Sequence, residues 1–318
     1  MNAGSTSLKL DVVLPDETST RIESLADVRQ VDAVGHRIVH GGARFRDPIL
    51  LAPDVKEEIA ELSVLAPLHN GPALEAIDAA QQALPDVPHV AVFDTAFHAT
   101  LPDEATTYAV PERWRNEWGV RRYGFHGLSV QWSAERVPLP RLVVCHLGGG
   151  CSVTAVSGGR SVETTMGFSP LEGVPMATRS GSVDPGALLY LLREGKLTVE
   201  ELDHALEHES GLAALGGFED PLGLAVYTHR IAAAVAGMAA ALGGIDALIF
   251  TAGVGENVPA VRNEVCRRLR FLGVEVDPAQ NEAAKPDAHI GAADSRVRVV
   301  VVRAREEVVV ARAVRALG

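Results

Sequence analysis

The chain has 318 residues, enough for two domains, and its 29 Lys and Arg against 41 Asp and Glu give a formal net charge of −12. That balance argues against a nucleic-acid partner and for a protein that handles small molecules. Hydrophobic residues at 47%, charged residues at 22% and three cysteines without metal spacing suit a soluble, reduced, cytoplasmic chain with no secretory leader.

The first residues read MNAGSTSLKL, a small polar turn followed by a strand at 8–14. Further strands are predicted at 33–39, 89–93, 142–146, 152–156, 247–251 and 297–302. Between them the spacing predicts helices at 53–65 and 71–83. Asp184-Pro185 starts another helix, with Gly195 as its stop. Thr198 and Glu201 form a capping-box pattern ahead of Leu202, Ala205 and Leu206. The apolar stretch 231–250 is long enough to span a bilayer, but Gly243-Gly244 and Asp246 break it into a buried helix and a buried strand. Asn257 is placed to cap a helix ending near Gly273, and the tail 305–317 is a last helix.

Strands alternating with helices mean an α/β protein. AGSTS-LKLDVVL near the start and LVVCH-LGGGCS-VTAVS-GGR-SVETTM in the middle read as two similar hairpin units. Two facing domains with a cleft between them would follow.

Three Gly-rich turns adjoin strands: AGSTS, HLGGGCS and TAGVGEN. Glycine lets a backbone approach a ligand, and successive free N–H groups attract phosphate oxygens. The last turn runs into a helix N-terminus, a further anion site. Any one of them could be an ordinary hairpin; three together favour a nucleotide. Arg37 in GHRIVHGG and Arg179 in MATRSGS suit carboxylate or phosphate, the alternative being surface ion pairs. Asp94 ends an apolar strand, where α/β proteins place ligand crevices, though it could cap the next turn. His69, His98 and His126 are as readily core histidines as site residues. Glu306 and Glu307 open the last helix, where the dipole favours carboxylates.

Nine stretches in chain order resemble the acetate kinase family: NAGSTSLKL, GHRIVHGG, APLHNGPAL, VAVFDTAFH, YGFHGLS, VVCHLGGGCS, TTMGFSPLEGVPMATRSGSVDPG, FTAGVGENVPAVR and REEVVVAR. The resemblance implies two duplicated ribonuclease-H-like domains closing on a cleft, the fold shared by acetate and sugar kinases, Hsp70 and actin. It places the first domain at 1–94, completed by the C-terminal helix 304–318, and the second at 95–303. It implies Mg²⁺-dependent (or Mn²⁺-dependent), reversible phosphoryl transfer from ATP to acetate, giving acetyl phosphate and ADP. A cytoplasmic homodimer with no membrane or nucleic-acid partner is the associated expectation.

On this resemblance Arg37 and Arg179 hold the acetate carboxylate and the phosphoryl group, and His126 hydrogen-bonds that group. Asp94 organises the metal, with Glu306 as ligand and Asn2 beside it. Val39, Leu68, Phe125 and Pro170 form the methyl pocket. Ser5, Ser7, Lys9, His146, Leu147, Gly148, Gly149 and Gly150 meet the nucleotide phosphates. Gly253, Val254, Gly255, Glu256 and Asn257 meet the nucleotide. The chemistry agrees with this inventory: acetate is already ionised, so bringing two anions together demands cations rather than a nucleophile–base pair.

The sequence departs from the family pattern in four places. Met1 stands where a hydrophobic strand would precede the first turn, so that turn is expected to lack one of its strands, with a start site further upstream. Gly149 replaces the usual Asn of HLGNG. The segment GLAALGGFEDPLGLAVYTHR is shortened and lacks an Asp-Arg motif near the adenosine, which opens the phosphoryl donor to question. AGVGEN replaces GGIGEN, and Glu163 stands where Asp is common. Propionate, butyrate or pyrophosphate chemistry, or a silent nucleotide-binding homologue, are the alternatives.

Overall fold

In a computed structural model, which describes residues 1–3, 8–28 and 30–317, the apolar runs become two six-stranded sheets. The first contains β1 (Asn2–Ala3), β2 (Leu8–Val13), β3 (Ser19–Ile22), β4 (Val34–Ile38), β5 (Ile49–Leu50) and β6 (His89–Phe93). Its spatial order is β3-β2-β1-β4-β6-β5. The second contains β7 (Arg141–Leu147), β8 (Cys151–Ser157), β9 (Arg160–Thr164), β10 (Ala247–Thr251), β11 (Ala288–His289) and β12 (Arg298–Val301). Read from its opposite edge, its order is β9-β8-β7-β10-β12-β11.

These are the same design. In each sheet three antiparallel strands lead into two parallel ones and an antiparallel edge strand. The expected duplication is therefore present strand by strand. The parallel strands need cover on both faces, which is why β6 and β10 are buried along their whole length.

The two copies differ at one strand. β7 has seven residues, whereas its counterpart β1 has two. The expectation of a turn with no strand before it is corrected: Asn2–Ala3 does pair, antiparallel to β2 and parallel to β4. Beyond Met1, no strand among the described residues bridges β2 and β4. A cavity of about 610 Å³ lies there, lined by Val12, Val13, Gly35, Val90, Val310 and Val314 among others. The Met1 ammonium sits at its end and donates to the Gly35 carbonyl at 2.6 Å.

The helices Gly127–Arg136 and Glu306–Leu317 share one hydrophobic cluster with Val90 and Val92 of the first sheet and Leu142, Val144, Ala247 and Ile249 of the second. The helix Pro221–Leu242 is long and apolar enough to cross a membrane. One stripe of it, including Tyr227, Ile231 and Val235, is buried in the main core of the second sheet. Gly243 ends it in the left-handed region at φ 64°, and β10 follows, as the sequence suggests. Asp220 caps its start by accepting from Leu222 and Gly223 N–H.

Three local expectations change. The helix predicted at 71–83 begins at Pro67, with Pro72 inside it, so His69 lies in a first helical turn. The 53–65 helix stops at Glu61 and tightens into a 3₁₀ turn. Asn257 does not cap the following helix: it ends the short helix Ala252–Asn257, and its side chain donates back to the Gly253 carbonyl. The capping box at Thr198 and Glu201 forms as expected.

Candidate active site

The C-terminal ends of β4 and β6 and the turns after β7 and β10 open on one cleft of about 510 Å³. Open α/β sheets bind ligands at such strand ends. Asn2, Lys9, Arg37, Val39, Asp94, Phe125, His126, His146, Gly148, Gly149, Gly150, Pro170, Arg179, Gly253, Glu256 and Glu306 all line it. Leu147 at the end of β7, and Val254, Gly255 and Asn257 in the helix Ala252–Asn257, do not line it. Ser5, Ser7 and the side chain of Leu68 lie outside the described residues.

Arg37 is the hub. Its Nε donates to Asp94 Oδ1 at 2.9 Å and its Nη2 to Asp94 Oδ2, a two-pronged pair. Its Nη1 donates to Asn2 Oδ1 at 2.8 Å, and Asn2 Nδ2 donates to Glu306 Oε2 at 3.0 Å. Glu306 Oε2 also lies 3.7 Å from Arg37 Nε. Burial pushes the Asp94 carboxyl up and the Arg37 guanidinium opposes that shift. At Glu306 burial acts upward as the largest single effect, but Arg37, His146, Lys9 and the Asn2 amide together outweigh it, and the net shift is down.

Arg179 is held differently. Its Nε lies 2.9 Å from Glu207 Oε2 and its Nη1 donates to the Pro170 carbonyl at 3.2 Å. Its Nη2 makes no hydrogen bond to the described residues. Val39, Phe125 and Pro170 present apolar surface beside it in the cleft.

His126 starts the helix Gly127–Arg136 from a left-handed conformation, φ 60°. Such a backbone is costly for a non-glycine residue and clusters at functional sites. It is over-determined here. Gly127 N–H donates to the Asp94 carbonyl at 3.0 Å, and a Cβ on Gly127 would come within 2.1 Å of that oxygen. The His126 ring stacks on His146, centroids 4.0 Å apart. His126 Nδ1 pairs with Ser152 Oγ at 3.0 Å and His146 Nδ1 with Ser129 Oγ at 2.8 Å. Burial drives both imidazoles neutral: His126 far down, and His146 to about 4. His69, at the cleft wall, falls to about 4 through burial and the nearby Arg179 and Arg37. His98, by contrast, is fully occupied by Ser161 and the Phe125 carbonyl, a core histidine.

Gly150 is where these groups meet. A Cβ there would sit 3.1 Å from His126 Nε2 and 3.5 Å from Arg179 Nη1. The glycine lets the hairpin turn approach both. Glu256 is partly committed elsewhere: its Oε1 accepts from Ala252 N–H at 3.1 Å and Ala304 N–H at 2.9 Å, tying the turn after β10 to the segment before Glu306. Glu306, Asp94 and Asn2 could offer a divalent cation oxygen donors only. That suits a hard ion held mostly by substrate phosphates and one or two carboxylates. Asp94 already has both oxygens on Arg37, whereas Glu306 Oε1 has no hydrogen bond to the described residues and could serve a cation.

The model of the Acetokinase family matches residues 16–312. The chain belongs to the acetokinase family. It is 47% identical to an acetate kinase of Gloeobacter violaceus over 313 residues, covering 91% of this chain and 77% of that relative. With an acetate kinase of Deinococcus radiodurans it shares 45% over 321 residues, covering 93% and 81%. Among solved structures, a propionate kinase from Francisella tularensis superposes with a TM-score of 0.83 at 35% identity, covering 89% of this chain and 78% of that one. An acetate kinase from Porphyromonas gingivalis superposes with a TM-score of 0.84 at 32% identity, covering 98% and 90%.

In this acetokinase, sequence reasoning missed Ser129, Ser152, Glu207 and Arg262. Arg262 is 1% exposed and has no carboxylate partner among the described residues. It donates to the Gly255 and Glu256 carbonyls at 3.0 and 2.9 Å and to Asn281. Nothing in NVPAVRNEV marks that arginine as buried. The shortened segment after Leu212 leaves Asp220 engaged as a helix cap, not facing the cleft.

Proposed function

We propose that this acetokinase transfers the γ-phosphoryl group of ATP directly to acetate, giving acetyl phosphate and ADP, and runs the reaction in reverse. The observation that carries this reading is the convergence of Arg37, Arg179 and a neutral His126 on one cleft lined by Gly148, Gly149 and Gly150 after β7 and Gly253 after β10. A carboxylate oxygen of acetate attacks the γ-phosphorus, the bond to the bridging oxygen of ADP breaks, and its electron pair leaves with ADP. No proton need move. The protein's task is therefore to align two anions and hold their charge.

Arg179, with Nη2 free, steadies the phosphoryl oxygens in flight. Arg37, fixed by Asp94 and Asn2, supplies a second positive centre for the acetate carboxylate. His126 donates a hydrogen bond as a neutral imidazole. Val39, Phe125 and Pro170 face the acetate methyl group. Glu306, with Asn2 and Asp94, would hold Mg²⁺, which when bound neutralises phosphate charge.

A short-chain acyl range reaching propionate is the second reading, favoured by the propionate kinase neighbour. One methylene in an apolar pocket is worth only about 1–3 kcal/mol. A hydroxamate assay over acetate, propionate and butyrate, with ATP, GTP and pyrophosphate as donors, decides both questions. Acyl phosphate from acetate with ATP is the expected outcome, and none with any donor refutes the reading. We further read the protein as a cytoplasmic homodimer. The helices Pro185–Arg193 and Val199–His208 bury no residue and expose Leu189, Tyr190 and Val199, an apolar face for a second copy.

A further inference from the structure

We infer that Glu207 is a positioning residue for the reaction, acting through Arg179. Glu207 sits near the end of the helix Val199–His208, a helix with no fully buried residue. Yet its own side chain is only 14% exposed, and Arg179's 13%, because the helix end folds over the arginine loop. Glu207 Oε2 lies 2.9 Å from Arg179 Nε. It has no aligned hydrogen bond, so the contact is an ion pair that acts by charge.

The backbone around the pair is a cradle. Thr178 Oγ1 donates to the Glu207 carbonyl at 2.8 Å, Ser180 N–H to the Leu206 carbonyl at 3.1 Å, and Ser210 N–H to the Thr178 carbonyl at 2.9 Å. Gly211 follows with φ 63°, and a Cβ there would come within 2.6 Å of the Arg179 carbonyl oxygen. The segment 206–211 thus grips the arginine loop on both sides of Arg179, and a carboxylate is delivered to the guanidinium from the same segment.

A long arginine side chain has many rotamers. The Glu207 carboxylate at Nε and the Pro170 carbonyl at Nη1 select the one that holds Nη1 beside Gly150 and leaves Nη2 without a hydrogen bond to the described residues. An interaction of this kind fixes where the charge sits during transfer. It contributes to turnover more than to substrate capture. Outer partners that orient a site ligand are typically worth about 10–100-fold. The inference rests on the phosphoryl-transfer reading above, and wild-type acyl phosphate formation is measured first so that the two can fail separately.

The test is a double-mutant cycle of kcat and KM. Glu207→Gln keeps the shape and removes the charge. It is expected to lower kcat about 10-fold or more with acetate KM changed less than about 3-fold. In an Arg179→Gln background, which carries no positive charge for Glu207 to pair with, the same change is expected to cost less than about 2-fold of the residual rate. Unchanged kcat in Glu207→Gln overturns the inference. So does an equal loss in both backgrounds, which marks a structural role independent of Arg179. Should Glu207→Gln fail to fold, Glu207→Asp, which withdraws the charge by one methylene, carries the same cycle with the same two overturning outcomes.

Discussion

Arg37 and Asp94 form a two-pronged ion pair in which Asp94 is 1% exposed at its side chain and Arg37 12%. Removing one member of such a pair leaves an uncompensated buried charge, which costs about 3–5 kcal/mol. Arg37→Ala is therefore expected to lower Tm markedly as well as abolish turnover. Arg37→Ala with Asp94→Asn removes both charges and is expected to recover much of the Tm and none of the activity. Recovery of activity would show that Arg37 serves only the fold.

Arg179 is expected to behave in the opposite way. Its partners are one carboxylate at a helix end and one carbonyl, it lines the cleft, and its Nη2 makes no hydrogen bond to the described residues. Arginines at a transferring phosphoryl group are worth about 10³–10⁵ in kcat in other phosphoryl-transfer enzymes. Arg179→Ala should lose at least about 10³-fold in kcat with circular dichroism near wild type and a smaller fall in Tm than Arg37→Ala, since the Glu207 it leaves unpaired is less buried than Asp94. Turnover within about 10-fold of wild type would remove it from the chemistry.

How far the sequence leads is visible in these two arginines. Arg37 stands among glycines and histidines in GHRIVHGG and Arg179 beside a glycine in MATRSGS, and both line the cleft. Their difference is not legible, because it depends on Asp94 and Glu207, which lie 57 and 28 positions away in the chain. Fully apolar strands such as β10 announce themselves, and so do caps such as Thr198 with Glu201. The two-residue β1 has too few residues for any period to show. Asn257 looks like a cap, since Pro259 follows, but Ala252–Asn257 already coils and takes its side chain. Pro72 hid four earlier residues of its helix, since proline normally marks a first turn.

The neutral histidines set a pH dependence. His36 is lowered to about 2, and His40, His98 and His146 to about 4, all chiefly by burial. In the unfolded chain each takes a proton near 6.5. Their contribution to stability is thus complete above pH 6.5. It is lost as pH falls from 6.5 toward each folded value, since only the unfolded chain binds the proton. Tm is expected to fall steadily between pH 6.5 and 4, and His36→Asn, which cannot ionise, should flatten part of that slope. The kcat profile should show no limb near 6.5 from His126 or His146. A limb there that disappears in His126→Asn would contradict a neutral imidazole at work.

Gly149 has room. A Cβ built on it meets no atom within 4 Å, and its backbone is not left-handed. The turn that carries it lines the cleft and is tied to the arginine loop, its Gly149 carbonyl accepting from Ala177 N–H at 3.2 Å. Gly149→Asn adds a side-chain amide where nucleotide phosphates are expected, and a hydrogen bond to a charged group is worth about 1.5–3 kcal/mol. The variant should keep its Tm and lower the nucleotide KM about 10-fold. An unchanged KM with ATP would place the phosphates away from this turn.

The cavity between β2 and β4 offers the last test. β1 pairs Asn2 with Lys9 on one side and Arg37 on the other. Continuing that register, the residues added before Met1 fall opposite Asp11, Val12 and Val13 of β2 and opposite Gly35 and Val34 of β4. Those two strand edges have no partner across the cavity among the described residues, and its walls include Val90, Val310 and Val314. The same cavity reaches Asn2, Arg37 and Glu306, so whatever fills it also braces the hub of the cleft. The Met1 ammonium at its end is lowered to about 6 by burial. Its charged form is disfavoured in the fold, so stability from this group rises as pH increases from 6 to 8, where the unfolded amine gives up its proton. A four-residue extension alternating Val and Ile replaces the ammonium by an amide, adds ladder hydrogen bonds and buries apolar side chains. It is expected to raise Tm by several degrees, erase the pH 6–8 slope due to Met1, and raise kcat by holding Asn2 and Arg37 more firmly. A Gly-Ser extension of equal length should do the second without the first. Equal Tm for the Val/Ile and Gly-Ser extensions would mean that the cavity does not take a strand.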